Sequence, residues 1–298
     1  MPAAETDISA DLVRRLIAAQ HPDLAGPPVG LLANGWDNLI YRLGEHLAVR
    51  LPRRAAAAGL IRHEQRWLPA LAARLPLATP APVRVGGPAL GYPWHWSIVP
   101  LLPGQIAALS PPADPADAAV RLGRFLGALH EPAPPDAPAN PFRGIPLAGR
   151  SAAFEARIDR LAADVDTAAA RRALAGALAA PVWTGPPLWL HGDLHPANIM
   201  VDRGRITGVI DFGDITAGDP AVDLSVAWAL LPAAAHPAFR AAYAAAGGPG
   251  GAEGLWLRAR GWALALAIAT LANSADNAMM AAASRRTLAA VLGPPGPG

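Results

Sequence analysis

The chain has 298 residues, of which 52% are hydrophobic and 16% are charged, and this composition predicts a folded globular protein with one large domain or two lobes. The formal net charge is +2 and all 25 basic residues are arginine, so the sequence pI of about 9.6 does not indicate nucleic-acid binding, because almost nothing titrates between histidine and arginine. The chain contains no cysteine, which excludes disulfides and thiol chemistry, and its acidic first twelve residues do not predict a signal peptide.

The first hundred residues predict a helix followed by a five-stranded sheet. The helix is predicted over residues 7–19, where Leu12, Leu16 and Ile17 form one apolar stripe. Short apolar runs predict strands over residues 29–33, 39–43, 47–51, 83–85 and 94–99. The turn at residues 34–38 contains one glycine, so by itself it is as typical of an ordinary hairpin as of a phosphate-binding loop.

The third predicted strand contains an arginine that needs a partner. Arg50 lies in the middle of the apolar run at 47–51, and a buried guanidinium is costly unless it is paired. The next helix is predicted over residues 56–74, and Glu64 lies on the same face as its apolar stripe. A strand guanidinium and an inward-facing helix carboxylate fit an ion pair, which could be purely structural or could contact a nucleotide.

The middle of the chain predicts a short linker and then helices. Residues 100–104 are predicted as the linker. An amphipathic helix between two proline-rich segments has a core face of Leu122, Phe125, Leu126 and Leu129. Further helices are predicted over residues 152–163 and 166–179. The largely apolar stretch at 262–272 is too short to span a bilayer and predicts a buried helix.

The stretch at residues 188–214 carries the side chains on which a functional hypothesis depends. Apolar runs predict strands over 188–190, 199–201 and 206–210, with a tight turn between the last two. Pairing about that turn places Asn198 opposite Val209, and Asp211 follows roughly 7 Å further along the strand. Asp193 and His195 lie in the loop before Asn198. Oxygen ligands of this kind suit Mg²⁺.

Two motifs in this stretch resemble those of a known enzyme family. HGDLHPAN at residues 191–198, followed by IDFGD at 210–214, is similar to the catalytic and metal loops of the aminoglycoside phosphotransferase family, distant relatives of protein kinases. RLP at residues 50–52 is similar to macrolide phosphotransferases. The resemblance implies an α+β, bilobal, protein-kinase-like fold, with a small lobe that contains a five-stranded antiparallel sheet plus a helix, and a larger, mostly helical lobe.

The same resemblance implies boundaries for the domains. The nucleotide-binding lobe is expected over residues 1–100 and the hinge over 101–104. The helical lobe, with the catalytic loop, the metal loop and the substrate pocket, is expected over 105–292. The proline- and glycine-rich residues 293–298 are predicted to be a disordered tail.

The resemblance also implies a role for each residue of the catalytic stretch. Asp193 would be the catalytic residue that accepts or orients the proton of the acceptor hydroxyl. Asn198 and Asp211 would bind Mg²⁺. The supporting residues of the loop would be His191, His195 and Asp223. For His195, two roles stay open: orienting the loop, or contacting the substrate or a phosphate.

Four further residues are expected to bind the nucleotide. Arg50, which stands where kinases have a lysine, would pair with Glu64 and hold the α- and β-phosphates. This exchange is not conservative, because a guanidinium is a planar fork and an ammonium is a point charge. The adenine edge would meet backbone groups near Val99 and Leu101.

Asp219 beside Pro220 is expected to cap a helix.

The expected function is ATP- or GTP-dependent phosphoryl transfer to a hydroxyl of a small molecule, of the antibiotic-kinase type. Residues 224–298 contain only two acids, Glu253 and Asp276, which favours a macrolide-like acceptor over a polycationic aminoglycoside. Acids from elsewhere, such as Asp159 or Asp214, would remove this preference. A metabolite kinase of the choline, homoserine or sugar type stays open, as does a nucleotide-binding pseudokinase module. A cytoplasmic monomer or homodimer is expected, without nucleic-acid or membrane partners.

Overall fold

The computed structural model describes residues 3–293, which form two compact units. The first unit comprises the described residues up to Arg74, Ala78–Pro103 and Asp211–Gly213. The second comprises Leu75–Leu77, Gly104–Ile210 and the described residues from Asp214 onward. The predicted tail at 293–298 lies, apart from Gly293, outside the described residues.

The first unit contains a five-stranded antiparallel sheet and two helices. Its elements are α1 (Ala10–Gln20), β1 (Val29–Asn34), β2 (Asn38–Leu43), β3 (Leu47–Pro52), α2 (Ala55–Ala72), β4 (Arg84–Gly86) and β5 (Trp96–Pro100). The strand order is β1-β2-β3-β5-β4, with every neighbouring pair antiparallel. The sheet expected from the sequence is therefore present, and the predicted strand ends differ from the observed ones by one or two residues.

A core between α1 and the sheet holds the first unit together. Ser9 caps α1 by accepting a hydrogen bond from the Leu12 N–H at 3.2 Å. The stripe predicted for this helix is buried, and it packs in one apolar cluster with Val49 and Trp96 of the sheet. Each such aliphatic side chain contributes about 2 kcal/mol to the free energy of unfolding. This core fixes β3, the strand that carries Arg50.

The second unit is mostly helical, with two small sheets. Its strands are β6 (Gln105–Ile106), β7 (Leu188–Leu190), β8 (Ile199–Asp202), β9 (Arg205–Val209) and β10 (Thr216–Gly218). Its helices are α3 (Pro115–Leu129), α4 (Ser151–Arg160), α5 (Thr167–Leu178), α6 (Ala221–Leu224), α7 (Val226–Leu230), α8 (His236–Ala245), α9 (Leu255–Leu271) and α10 (Ala278–Leu292). Strand β10 pairs with β7, and β8 lies between β6 and β9.

Helices α3 and α8 approach each other closely within the second unit. The Asp114 side chain accepts the N–H groups of Ala116 and Asp117 at 2.8 and 3.3 Å, which begins α3. A Cβ at Gly123 would lie 2.6 Å from the Phe239 carbonyl oxygen, so only glycine allows this spacing. The predicted core face of α3 is completely buried.

The apolar stretch predicted as a buried helix belongs to α9, which begins seven residues earlier, at Leu255. Trp262, Leu264 and Ile268 are among its buried residues. Within residues 3–293, no helix is both long enough and apolar enough to cross a membrane.

The hairpin of β8 and β9 differs from its predicted register by one residue. Ile199, not Asn198, pairs with Val209, and the register shifts between Met200 and Val201. The shift is a β-bulge, which leaves Thr207 without a partner in the ladder. The Asn198 carbonyl therefore accepts the N–H of Ile210 at 2.9 Å. Asp211 follows one residue after this contact, whereas the sequence predicted two.

Candidate active site

A buried aspartate, Asp223, fixes the loop after β7 by accepting hydrogen bonds from its backbone. The two carboxylate oxygens of Asp223 accept the backbone N–H groups of His191 at 2.7 Å and of Gly192 at 2.9 Å. The Nε2 of His130 lies 3.3 Å from the same carboxylate, and its Nδ1 lies 2.9 Å from the Tyr243 hydroxyl. Asp223 is fully buried, so these bonds fix the start of the loop without contact with solvent.

His191 and Gly192 set the path of the loop. The His191 Nδ1 accepts the Asp193 N–H at 3.2 Å and its Nε2 donates to the Ile210 carbonyl at 3.0 Å, which assigns the neutral tautomer. Gly192 has a φ of 85°, a region that favours glycine. A Cβ there would also lie 2.4 Å from the Asp214 carbonyl oxygen. The loop thus turns tightly and presents Asp193.

The Asp193 carboxylate lies between two cationic or hydrogen-bonding side chains. Its Oδ1 is 3.1 Å from Nη2 of Arg143 and its Oδ2 is 3.3 Å from Nε2 of His195. Burial raises the pKa of this carboxyl, but the interaction with His195 and the charge of Arg143 lower it more, so its pKa lies well below the usual range. Asp193 is therefore ionised, as a proton acceptor must be. Its side chain is about 31% exposed.

Asn198 ends the same loop, in a short 3₁₀ turn at Pro196–Asn198. Its amide nitrogen donates to the Asp193 carbonyl at 2.9 Å. That bond leaves the amide oxygen as an available ligand atom. His195 begins the turn, because its Nδ1 accepts the Ala197 N–H at 3.2 Å. His195 thus both orders the turn and contacts Asp193.

In the first unit, Arg50 lies between two carboxylates. Its Nη1 is 2.5 Å from Oε1 of Glu64 and its Nη2 is 2.7 Å from Oδ1 of Asp211. Arg50 and Glu64 are buried, whereas the Asp211 side chain is 52% exposed. Within the described residues, Nε of Arg50 and Oε2 of Glu64 have no hydrogen-bond partner. The ion pair expected from the sequence is present, and its role toward a nucleotide stays a prediction.

The charges of this cluster are strongly coupled. Burial raises the pKa of Glu64 to about 7, with Arg50 opposing the shift and Asp211 adding to it. For Arg50, burial lowers the pKa, but Glu64 and Asp211 together raise it above the usual value. Asp211 has a φ of 64°, an uncommon backbone conformation for a residue with a side chain.

Of the two residues expected near the adenine, Val99 lies in β5 and Leu101 follows directly after it. Val99 pairs with Ala48 in the sheet and is buried. The Leu101 N–H donates to the His46 carbonyl at 2.8 Å, so this donor is already engaged by the protein. The adenine contacts of Val99 and Leu101 stay predictions.

The described residues provide single candidate ligand atoms for a metal ion but not a complete set of protein ligands. Residues 3–293 contain no group of three or more histidine, aspartate or glutamate side chains that could hold a metal ion. Mg²⁺ usually keeps several waters and takes only one or two protein carboxylates together with substrate phosphates. The amide oxygen of Asn198 and the half-exposed carboxylate of Asp211 fit that ligand set. Asn198 belongs to the second unit and Asp211 to the first, so their joint role stays a prediction.

Two residues that contact the loop after β7 or its supporting aspartate were not predicted from the sequence. Arg143 lies in a proline-rich segment, fifty residues before its partner Asp193, where no periodic pattern marks it. His130 does carry a signal, because it continues the buried stripe of α3 four residues after Leu126.

Comparisons with known proteins show which family and which fold this chain matches. The family model of the APH phosphotransferase enzyme family matches residues 29–262. Protein YcbJ of Bacillus subtilis (strain 168) is 45% identical over 42 residues, which span 14% of this chain and 14% of YcbJ.

Two solved structures are similar over nearly the whole chain. Macrolide 2'-phosphotransferase MphH from Brachybacterium faecium, as the apoenzyme, is 25% identical with a TM-score of 0.60, covering 97% of this chain and 99% of its own. The GDP complex of a mutant aminoglycoside 2'-phosphotransferase-IIIa is 20% identical with a TM-score of 0.68, covering 92% of this chain and 95% of its own. The α+β, protein-kinase-like fold class predicted from the sequence is thereby confirmed. Because the family model also spans well over half of the residues, the chain belongs to the APH phosphotransferase enzyme family.

Proposed function

We propose that the chain transfers the γ-phosphate of ATP or GTP to a hydroxyl group of a small molecule, as an antibiotic kinase does. The observation that carries the proposal is the ionised, partly exposed carboxylate of Asp193, on a loop that Asp223 holds in place. A positioned carboxylate of this kind can accept the proton of an attacking hydroxyl. In the transfer, the hydroxyl oxygen bonds to the γ-phosphorus, the bond to the β-bridging oxygen breaks, and the nucleoside diphosphate leaves.

The remaining residues would position the nucleotide. Arg50, held by Glu64 at 2.5 Å, would donate to the α- and β-phosphates. Asn198 and Asp211 would hold Mg²⁺, which supplies neutralising charge at the β- and γ-phosphates when it is bound. Positioning and charge neutralisation account for most of the acceleration in this chemistry. Arg50 and Asp211 are already in contact, which supports a shared role at the phosphates.

For the acceptor, we propose a macrolide-like compound ahead of an aminoglycoside. Helices α9 and α10 contain no acidic residue, so they offer no carboxylate to a polycation. The solved structure of a macrolide 2'-phosphotransferase at 25% identity supports the same class. A metabolite kinase is the second candidate, and Arg143 beside Asp193 favours it, because a guanidinium suits an acceptor that carries a negative charge.

A γ-phosphate transfer screen tests the proposal. Labelled ATP and GTP are offered with macrolides, aminoglycosides, choline, homoserine and sugars, with and without Mg²⁺, and the melting temperature is followed with each nucleotide. We expect Mg²⁺-dependent transfer to at least one acceptor. Nucleotide binding without transfer to any acceptor and without slow hydrolysis would instead indicate a nucleotide-binding pseudokinase module.

A further inference from the structure

Two arginines lie over the rings of Phe142 and Phe154, and a third, next to Phe142 in the chain, contacts Asp193. The guanidinium carbon of Arg150 lies 4.7 Å from the ring centre of Phe142 and 5.8 Å from that of Phe154. The guanidinium carbon of Arg157 lies 6.0 Å from the same Phe154 ring. Arg143 is the chain neighbour of Phe142, and it reaches Asp193. We call these three arginines the arginine cluster.

Two of the three guanidinium charges in the arginine cluster have no carboxylate partner among the described residues. Within the described part of the chain, neither Arg150 nor Arg157 forms an ion pair, and Arg143 pairs only with Asp193. The acidic residues of α4 do not form ion pairs with the arginine cluster, because the carboxylates of Glu155 and Asp159 both contact Arg171 of α5.

The arginine cluster also contains hydrogen-bond donors that the protein leaves unused. The Nε atoms of Arg143, Arg150 and Arg157 are buried and have no hydrogen-bond partner among residues 3–293. Nη1 of Arg157 donates to the Ala153 carbonyl at 3.3 Å, so the other Nη atoms of Arg150 and Arg157 are the donors that an anion can reach. Burial and then the charges of Arg157 and Arg143 lower the pKa of the Arg150 guanidinium. Like charges held together with unpaired donors are unfavourable unless an anion joins them.

The segment that carries Arg143 is built to hold its position. The Gly144 carbonyl accepts the Asp219 N–H at 2.9 Å, and a Cβ at Gly218 would lie 2.1 Å from that carbonyl oxygen. Upstream, the Asn140 amide donates to the Asp214 carboxylate at 2.7 Å. The Arg143 guanidinium is therefore presented from a fixed backbone and not from a loose loop.

We propose that Arg143, Arg150 and Arg157 form an anion-binding subsite beside Asp193, which takes a carboxylate or phosphate group carried by the acceptor alcohol. The planar fork of arginine donates two parallel hydrogen bonds to such a group. Phe142, which is more than half exposed, provides an apolar surface beside the charge. The inference rests on the proposed phosphotransfer function and refines its second candidate, the metabolite kinase, by narrowing the acceptor to hydroxy acids or phosphorylated alcohols.

The first experiment measures anion binding without catalysis. The melting temperature is followed as inorganic phosphate is added in the presence of ADP and Mg²⁺, against sodium chloride of equal ionic strength. We expect phosphate to stabilise the wild type, and we expect R150Q/R157Q to lose at least about tenfold in apparent phosphate affinity. The single variant R157Q is measured alongside, in case the double variant folds poorly. R160Q removes an exposed arginine from the same helix and should behave as the wild type.

The second experiment compares acceptors that differ only in charge. Glycerate is compared with glycerol and gluconate with glucose, with labelled ATP or GTP as the donor. We expect the acidic member of a pair to have a kcat/KM at least about tenfold higher, and R150Q/R157Q to raise its KM without changing the KM for the nucleotide.

The outcomes separate the subsite from the proposed function. Phosphate affinity that is lost in R150Q/R157Q, with no transfer to any acceptor, would support the subsite and contradict the function. Transfer to a macrolide that is unchanged in R150Q/R157Q, with an unchanged phosphate response, would support the function and overturn the subsite. A raised KM for ATP or GTP with an unchanged KM for the acceptor would assign the arginines to the nucleotide phosphates and also overturn it.

Discussion

The side chains that contact the Asp193 carboxylate come from separate segments of the second unit. The aspartate and His195 come from the motif that the sequence shows, whereas Arg143 comes from a segment without any pattern. Motif spacing could predict the first two because they are close in sequence. It could not predict Arg143, because a contact across fifty residues depends on how the loops pack.

Replacing Asp193 by asparagine should abolish most of the phosphotransfer. The amide keeps the shape of the side chain but cannot accept a proton, so we expect kcat to fall by about 100-fold or more with an unchanged melting temperature. The matched control is D202N at the end of β8, where the aspartate side chain is 39% exposed, and this variant should keep wild-type kcat. A D193N enzyme with kcat within a few-fold of wild type would contradict the assignment.

Glu64 should make the stability of the protein depend on pH. Its pKa of about 7 in the native state lies above the value of about 4.3 in an unfolded chain. Between these values the native state retains a proton that the unfolded chain has lost, so the free energy of unfolding falls as the pH rises from about 4.5 to about 7.

Chemical denaturation of wild type and E64Q at pH 5 and pH 8 measures this effect. Glutamine does not titrate, so the stability of E64Q relative to wild type should increase between the two pH values, by on the order of 1 kcal/mol. A difference between the two proteins that is the same at both pH values would show that Glu64 stays ionised throughout.

Among the elements, the β8–β9 hairpin shows what a sequence pattern can and cannot predict. Its strands and its turn were predicted, because Arg203 and Gly204, with φ of 48° and 77°, fit a two-residue hairpin turn. The bulge at Thr207 was not predicted, because Ile206 and Val209 are three residues apart and the short run between them has no strict alternation that would fix the register. The one-residue shift brings Ile210 opposite Asn198 and so moves Asp211 closer to the end of the ladder.

The loop after β7 should not tolerate a side chain at Gly192. Replacing Gly192 by alanine adds a Cβ 2.4 Å from the Asp214 carbonyl oxygen at a φ of 85°, so we expect a loss on the order of 2 kcal/mol in the free energy of unfolding. The control is G176A on the exposed face of α5, where nothing lies within 4 Å. It should stabilise the protein by about 0.5 kcal/mol. Equal effects of the two substitutions on denaturation midpoints would refute this account of the loop.

For the whole molecule, the fold class followed from two short motifs, because they are specific to one family. The helices α8 and α10 were not predicted, and for α10 the reason is that its alanine-rich sequence shows only weak contrast between its faces. Buried ion pairs were also not predicted, for example the one between Nε of Arg258 and Oδ2 of Asp219, which are 2.8 Å apart. Asp219 was interpreted as a helix cap, and it does accept the Ala221 N–H at 3.0 Å, but its partner lies on α9.

Ligand binding should stabilise the whole protein in a metal-dependent way. A nucleotide at about 100 times its Kd adds about 2.7 kcal/mol to the free energy of unfolding. We expect Mg²⁺ to increase the rise in melting temperature that ATP causes, and we expect D211A to abolish the Mg²⁺-dependent part together with turnover. If D211A retains near wild-type turnover, the metal assignment is wrong. D202N again provides the control.

Arg50, which we propose as the nucleotide clamp, also determines which covalent reagents the protein resists. A guanidinium is protonated at every ordinary pH and is not a nucleophile, and the chain has no lysine in its place or anywhere else. Nucleotide analogues that carry an acylating phosphate, and that modify the clamp lysine of other kinases, should therefore leave Arg50 untouched. The variant R50K would convert an inert clamp into a site for acylation, which a mass shift on the intact protein would detect.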